Sequence, residues 1–368
     1  MIVLYGATGY TGRLVTDELV RRGLDFTLAG RNPEKLARLS EERGQGAPVR
    51  TATVDDPRSL RAMLDDCDVV INCAGPFSLY GEPVVEAAVE TRTHYLDSTG
   101  EQTFMKRVFD QYGRRAKTQG VAVVPAMGFD YLPGDCIARL AAAPHEPLEE
   151  LVLAYAMSGF GASQGTLLSA LEMLKGGDFV YTGGNWKPAP IDTSRRTFDF
   201  PGQVGRQAMI RYPSGEVLTV PRHTRTRKVT SLIGARAFVP LPALAPVLPL
   251  TMPAVSLALR TPLQRVLGKA VGRLPEGPEE ADRRAARFTI VALARGADGG
   301  EGRGVVRGSD PYGLTAVTLV HGAERMSGDG YAEAGVLAPA EAYDPESFLN
   351  YLTDHDLSWE LDRPAVPA

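Results

Sequence analysis

A glycine-rich turn near the start of the chain separates one apolar run from a helix-like pattern. Residues 2–5 (IVLY) are continuously apolar, which is typical of a strand buried on both faces of a parallel sheet. Leu14, Val15, Leu19 and Val20 then recur at helical spacing, and residues 26–29 form a second apolar run. Residues 1–31 therefore predict a strand, a turn, a helix and a second strand.

The turn itself has the spacing G-x-x-G-x-x-G. Glycine lets a backbone bend sharply and approach a pyrophosphate, while the first turn of a helix offers unpaired N–H groups and the positive end of the helix dipole. The spacing alone is weak because ordinary turns are also rich in glycine. Its position between a strand and a helix is the context that a dinucleotide site requires. We predict that the turn binds a dinucleotide through Gly6, Thr8, Gly9, Tyr10, Thr11 and Gly12.

The end of the second predicted strand carries a cation rather than an acid. A site for NAD would place Asp or Glu there to accept hydrogen bonds from the ribose 2′-hydroxyl, whereas this chain has Ala29-Gly-Arg-Asn32. A guanidinium suits phosphate geometry and can stack on adenine. We therefore predict NADP(H) as the cofactor, with Arg31 at its 2′-phosphate and Asn32 as a further cofactor-binding residue. The alternative for Arg31 is a solvated side chain at a strand end.

The composition is that of an ordinary globular protein. The chain has 368 residues, enough for two domains, with a net charge of −4 that gives no reason to expect nucleic acid as a partner. Its three cysteines lack metal-ligand spacing, and their odd number argues against a disulfide framework, so we predict no metal site and a reduced environment. Because a strand begins at residue 2, we expect no signal peptide and a cytoplasmic protein.

Strands and helices alternate through about residue 145, which predicts an α/β fold with a doubly wound parallel sheet of the Rossmann type. The pattern then changes to shorter strand candidates rich in Gly, Pro and Thr. We predict a Rossmann domain at residues 1–145, an inserted α+β domain with an antiparallel sheet at 146–308, and a C-terminal segment at 309–368 that returns to the first domain.

Residues 238–259 are almost uncharged but contain five prolines, which disfavour a regular spanning helix. Two interpretations stay open for this stretch. It could cover the substrate site as an apolar lid, or it could receive a hydrophobic substrate or contact a membrane surface.

Ligands of a doubly wound sheet bind outside the carboxyl ends of its strands. After the fourth predicted strand we expect the nicotinamide side of the cofactor to meet Asn72, Ala74, Gly75 and Pro76. Hydride transfer also needs a proton donor. Candidates near the strand ends include Tyr80, Tyr95, Asp97, Asp130 and Tyr131, of which we select Tyr80, Asp97 and Asp130 as catalytic. Asp97, Glu101 and Asp130 suit helix N-capping equally well.

Several of these segments together resemble a known family, the saccharopine dehydrogenase-like reductases, and within it the trans-acting enoyl reductase branch. The segments are Gly6 to Gly12, Ala29 to Asn32, Asn72 to Phe77, Tyr95 to Glu101, Gly128 to Asp130 and Gly335 to Pro339. The resemblance implies an NADP(H)-binding Rossmann domain, an inserted α+β domain and hydride transfer in the cleft between them.

Three functions follow as hypotheses. The first is NADPH-dependent reduction of an activated C=C bond in a hydrophobic biosynthetic intermediate. The second is reduction of a C=N bond in an amino-acid-type substrate, which would need arginines or lysines converging on a carboxylate. The third is a non-catalytic NADP-binding, lipid-associated protein. A peripheral lipid contact and a homodimer are further predictions.

Overall fold

The structure is a computed structural model that describes residues 1–192, 194, 196–235, 257–259, 261 and 263–362. The proline-rich stretch 238–259 lies outside these residues except for its last three.

The first half of the chain alternates strands with helices. Its elements are β1 Ile2–Tyr5, α1 Tyr10–Arg21, β2 Phe26–Gly30, α2 Pro33–Glu42, β3 Val49–Thr51, α3 Pro57–Met63, β4 Val69–Asn72, α4 Phe77–Thr91, β5 His94–Asp97, α5 Gln102–Gln119, β6 Ala122–Val124 and α6 Leu132–Ala142.

The second half contains longer strands. Its elements are β7 Leu148–Ser158, α7 Gln164–Gly176, β8 Phe179–Thr182, β9 Asn185–Pro188, β10 Arg196–Phe200, β11 Gly205–Arg211, α8 Glu216–His223, β12 Lys228–Gly234, α9 Leu263–Val271, α10 Glu280–Ala285, β13 Arg287–Gly296, β14 Glu301–Ser309, α11 Pro311–Ser327, β15 Gly335–Val336, α12 Pro339–Ala342, α13 Pro345–Leu352 and β16 Leu357–Asp362. Short 3₁₀ turns lie at Ala143–His145, Gly202–Val204 and Thr353–His355.

In the described residues the first sheet has seven parallel strands in the order β15-β6-β5-β4-β1-β2-β3. The order reverses between β1 and β4, so a crevice opens at the carboxyl ends of these two strands. Successive residues of β1 face different cores, Ile2 and Leu4 on one side and Val3 and Tyr5 on the other. Burial on both faces explains why this strand is apolar throughout, and the predicted doubly wound fold is confirmed.

The second sheet has nine strands among the described residues, with the main order β10-β11-β12-β7-β13-β14-β16. We predicted an antiparallel sheet, but the sheet is mixed, because β12 pairs in parallel with β7. The connection between these two strands is long and ends in α8, and a long crossover permits parallel pairing.

The C-terminal segment contributes to both sheets. Helix α11 packs against α1, and β15 extends the first sheet beside β6. The last strand, β16, instead pairs antiparallel with β14 in the second sheet. Within the described ranges no helix is both long and apolar enough to cross a membrane.

Candidate functional site

The glycine turn after β1 packs tightly against the loop that follows β4. Gly6 has a φ of +80°, and a Cβ there would lie 2.7 Å from the Ala74 nitrogen. A Cβ on Gly12 would collide with the carbonyl oxygens of Gly6 and Ala7. These two glycines are therefore required by backbone packing at the crevice.

The start of α1 is open to a ligand. Its N-cap is Gly9, an exposed residue, and no side chain caps the helix. The N–H groups of the first turn therefore lack a capping side chain and point outward at the positive end of the helix dipole. This arrangement fits a pyrophosphate.

Two predicted turn residues also contact other parts of the chain. The Tyr10 hydroxyl donates to the Pro278 carbonyl over 2.8 Å, and the Tyr10 ring meets Tyr312 edge to face with centroids 5.1 Å apart. The Thr8 carbonyl accepts a hydrogen bond from Arg13. Tyr10 therefore links the turn to residues beyond the first sheet.

Arg31 is exposed at the end of β2, as the sequence predicts, and forms neither an ion pair nor a hydrogen bond with the described residues. Arg31 and Asp55 act with opposite sign on the pKa of Tyr5, which burial raises, so both charges lie near the Tyr5 hydroxyl. Asn32 caps α2, because its Oδ1 accepts from the Lys35 N–H over 2.9 Å. The site has an unneutralised guanidinium where a 2′-phosphate would lie.

A buried chain of hydrogen bonds ties together the carboxyl ends of β4, β5 and β6. The Asn72 amide donates to the Tyr95 hydroxyl over 3.0 Å, and this hydroxyl donates to Asp97 Oδ2 over 2.8 Å. Asp97 Oδ1 accepts from the N–H groups of Thr99 and Ala126. Burial raises the pKa of Asp97 to about 7, partly offset by these hydrogen bonds.

Asn72 and Asp97 are both completely inaccessible to solvent. Asp97 therefore fastens loops beneath the site, and its carboxylate does not reach the surface that a substrate would touch. The predicted catalytic role of Asp97 has no geometric support.

The loop formed by Ala74, Gly75 and Pro76 is held by Glu101. This buried carboxylate accepts from the N–H groups of Phe77 and Ser78, each over 2.8 Å, and from the Ser169 hydroxyl over 2.7 Å. Glu101 thus caps α4 rather than its own helix, and it fastens α7 to the loop. Sequence spacing suggested capping of the following helix and could not reveal this longer-range contact.

Asp130 is a half-buried acid beyond the end of β6. Its Oδ2 and the Tyr131 hydroxyl both face Gly100, where a Cβ would lie 3.5 Å and 3.4 Å from them respectively. Burial raises the pKa of Asp130 to about 7, and Asp97 adds to this rise. Its carboxylate does not cap α6, whose N-cap is Tyr131. An acid that is half protonated near neutral pH is suited to proton transfer.

The loop that carries Asp130 is held from three directions. The Asp97 carbonyl accepts from the Met127 N–H over 2.8 Å. The Thr315 and Thr318 hydroxyls of α11 bind the Phe129 N–H and the Met127 carbonyl. Tyr155 of β7 donates to the Asp130 carbonyl over 2.8 Å. These partners come from three segments that are far apart in sequence, and no local motif pointed to them.

The third predicted catalytic residue, Tyr80, lies on α4 with 38% of its surface exposed. It lies one turn after Pro76, whose carbonyl accepts from the Tyr80 N–H. In the described part of the chain, no group of three or more His, Cys, Asp or Glu side chains is arranged to hold a metal ion.

Together, the open start of α1, the unneutralised Arg31 and the β4 loop that Glu101 holds fit NADP(H) bound across the crevice between β1 and β4. The class of protein defined by this fold and site is that of the Rossmann-type NADP-binding proteins.

Comparison with known families agrees with this class. Residues 2–124 match the family described as the saccharopine dehydrogenase NADP binding domain. Residues 2–124 therefore resemble the NADP-binding domain of that family, which confirms the predicted cofactor and the predicted resemblance.

Two relatives and one solved structure are informative. A lipid droplet localized protein of Caenorhabditis elegans is 41% identical over 145 residues, which cover 36% of this chain and 34% of that protein. A protein of Mycobacterium tuberculosis provisionally named a trans-acting enoyl reductase is 38% identical over 184 residues, 47% of this chain and 44% of the relative. The matched segments thus span less than half of these relatives.

Apo saccharopine dehydrogenase (L-Glu forming) from Saccharomyces cerevisiae superposes with a TM-score of 0.62 over 98% of this chain and 99% of that chain. Its 16% sequence identity shows a shared fold alone.

Proposed function

We propose that the protein is an NADPH-dependent reductase that transfers a hydride to a C=C bond conjugated with a carbonyl in a hydrophobic biosynthetic intermediate. The observation that carries the proposal is the position of Asp130. This partly accessible acid has a pKa raised to about 7 and lies beyond the end of β6, facing Gly100 in the loop after β5.

The residues of the site have separate tasks in this reaction. NADPH, when bound, would supply a hydride for the β-carbon of the conjugated bond. Protonated Asp130 gives its proton to the α-carbon, which completes the saturated product. The carboxylate that remains on Asp130 regains a proton from water. Arg31 and the α1 amides bind the far end of the cofactor, while Glu101 keeps the Ala74 to Pro76 loop in place.

The charges around Asp130 favour a substrate without carboxylates at the reacting end. Among the described residues, Asp97 is the one charged group that shifts the pKa of Asp130, and it is an acid. Four arginines that could have bound an amino-acid substrate are engaged by other groups: Arg196 by Asp192, Arg211 by Asp178, Arg225 by Glu146 and Arg222 by the ring of Phe109.

The names of the relatives support the same choice. One is named for enoyl reduction and another for a place on lipid droplets. A hydrophobic acyl substrate suits both names. The lipid contact, the homodimer and the cytoplasmic location stay predictions.

The substrate class is tested by following NADPH oxidation with two substrate series. One series contains 2-alkenoyl thioesters of increasing chain length, and the other contains imines formed from α-amino acids and aldehydes. We expect reduction of the thioesters, more efficient for longer chains. Reduction of imines instead would establish C=N chemistry, and NADPH binding without reduction of either series would favour the non-catalytic hypothesis.

The role of Asp130 is tested by Asp130→Asn. Loss of a general acid typically lowers the rate by about 10²- to 10⁴-fold, and we expect kcat to fall within this range while NADPH affinity is unchanged. In the wild type kcat/KM should fall as the pH rises through about 7, because only the protonated acid is active. Asp25→Asn, at an exposed aspartate, is the control. An unchanged kcat in Asp130→Asn would contradict the assignment.

A further inference from the structure

The Tyr155 hydroxyl lies between two acceptors that belong to different parts of the fold. It donates to the Asp130 carbonyl over 2.8 Å, and it also contacts Glu216 Oε1 at the start of α8. Tyr155 and Glu216 are both buried, with 1% and 0% of their surfaces exposed. A Cβ on Gly134 of α6 would collide with both oxygens, so a glycine at this position permits their approach.

The number of protons at this contact decides which hydrogen bonds can form. Tyr155 has one hydroxyl proton for two acceptors. If Glu216 is ionised, its carboxylate is the stronger acceptor and accepts the hydrogen bond from the Tyr155 hydroxyl. If Glu216 is neutral, its carboxyl group can donate a hydrogen bond to the Tyr155 oxygen. The Tyr155 hydroxyl is then free to donate its hydrogen bond to the Asp130 carbonyl. Both hydrogen bonds are therefore satisfied together only when Glu216 is protonated.

The surroundings of Glu216 favour the neutral form. Its second oxygen, Oε2, is buried without a hydrogen-bond partner among the described residues. Burial raises the pKa of Glu216 to about 8 and Asp135 adds to this, while the closeness of the Ser214 hydroxyl and the hydrogen bond from Tyr155 offset part of the rise. The Ser214 hydroxyl does not reach hydrogen-bond geometry with Oε2.

Among the described elements packed around Glu216, no cation offsets the rise that burial causes in its pKa. The titratable groups facing it are Asp135 of α6, which is paired with His223 of α8, Tyr155 of β7, and Asp130, Tyr131 and Tyr212 from the adjoining loops.

We propose that Glu216 is a positioning residue for the reductase: in its neutral form it leaves the Tyr155 hydroxyl free to hold the Asp130 carbonyl, and its ionisation removes that support. This inference rests on the proposed function of Asp130. The Asp130 carbonyl and carboxyl belong to one residue at the end of the loop, so release of the carbonyl lets the acid move away from Gly100. Misplacement of a reacting group by about 1 Å can cost about 10²-fold in rate.

The pH profile of kcat/KM separates the two acids. In the wild type we expect a fall of about tenfold per pH unit above about 7, where Asp130 ionises, and an additional fall of about tenfold to a hundredfold in total as Glu216 ionises around pH 8. Glu216→Gln should lose this second inflection, because its amide can always donate to the Tyr155 oxygen. It should also lose less activity than Glu216→Ala.

Two further variants complete the test. Tyr155→Phe should lower kcat as Glu216→Ala does, by about tenfold to a hundredfold, with unchanged NADPH affinity. Glu150→Gln changes a carboxylate of β7 that pairs with Lys228 and Thr230, and it should keep the wild-type profile. A second inflection that persists in Glu216→Gln, or a wild-type profile in Glu216→Ala, would overturn the proposal.

Infrared difference spectroscopy of wild type against Glu216→Gln gives a measurement that needs neither substrate nor folding of the alanine variant. We expect the C=O band of a protonated carboxyl group at neutral pH, lost with a midpoint near 8. Absence of this band at neutral pH would overturn the inference even in an active enzyme. Absence of all reductase activity would overturn the proposed function, and the band would then still decide whether Glu216 holds its proton.

Discussion

Arg31 is an exposed guanidinium that no described side chain neutralises, at the end of the strand beside the glycine turn. Asn32, the next residue, is already engaged in capping α2. Arg31 therefore has a charge that is available to a ligand, and a phosphate is the group that matches its planar donors.

Replacement of Arg31 by alanine should weaken NADPH binding by roughly 1–3 kcal/mol, the value of a hydrogen bond to a charged group. NADH, which lacks the 2′-phosphate, should bind wild type and variant alike. Fluorescence titration with both nucleotides measures this, with Arg38→Ala as the control because Arg38 is exposed on α2, the helix that follows Arg31. Equal affinity of the wild type for the two nucleotides would refute the assignment.

At the scale of elements, the contact between α1 and the turn after β1 depends on one glycine. The space that a Cβ of Gly12 would occupy is filled by backbone oxygens of Gly6 and Ala7, which cannot rotate away as a side chain could. Gly113, in the interior of α5, has nothing within 4 Å of the corresponding position. The two glycines have the same freedom in the unfolded chain but opposite surroundings in the folded one.

We expect alanine substitutions at these two helical positions to change the free energy of unfolding in opposite directions. Gly12→Ala should destabilise the protein by about 1–3 kcal/mol through overpacking, and weaken NADPH binding as the turn shifts. Gly113→Ala should stabilise it by about 0.5–1 kcal/mol, since glycine is unfavourable inside a helix. Denaturant unfolding and NADPH titration of both variants measure these effects. A Gly12→Ala protein as stable as Gly113→Ala would contradict the packing argument.

At the scale of the whole molecule, Asp135 joins helices that belong to the two sheets and the C-terminal segment. Its Oδ1 accepts from the Thr219 hydroxyl over 2.6 Å and from His223 Nε2 at 2.9 Å, and its Oδ2 accepts from the Ala340 N–H over 2.9 Å. Asp135 is completely buried. Removal of its carboxylate therefore leaves donors unpaired in two segments at once, α8 and α12.

Asp135→Ala should lower the free energy of unfolding by about 3–5 kcal/mol, the usual cost of removing one partner from a buried charged pair. Asp362→Ala is the matched control, since its pair with Arg303 is exposed and should contribute less than about 1 kcal/mol. Denaturant unfolding monitored by fluorescence compares the two. Similar stabilities for both variants would show that Asp135 does not join the segments energetically.

Features that depend on neighbouring residues could be predicted from the sequence. The apolar run of β1, the glycine turn and Arg31 at the end of β2 all lie within residues 1–31, so local spacing was sufficient to predict a parallel sheet and NADP(H). The repeated alternation of strands and helices likewise predicted the doubly wound fold.

Only the tertiary structure decided what each acid does. Asp97 and Asp130 both follow strands and looked equally suited to catalysis, yet Asp97 is buried among donors whereas Asp130 stays partly accessible. Glu101 caps a helix 24 residues back along the chain, and Tyr155 meets Glu216 across a separation of 61 residues. Burial and hydrogen-bond partners arise from contacts between distant segments, and these contacts set the pKa values that local spacing does not encode.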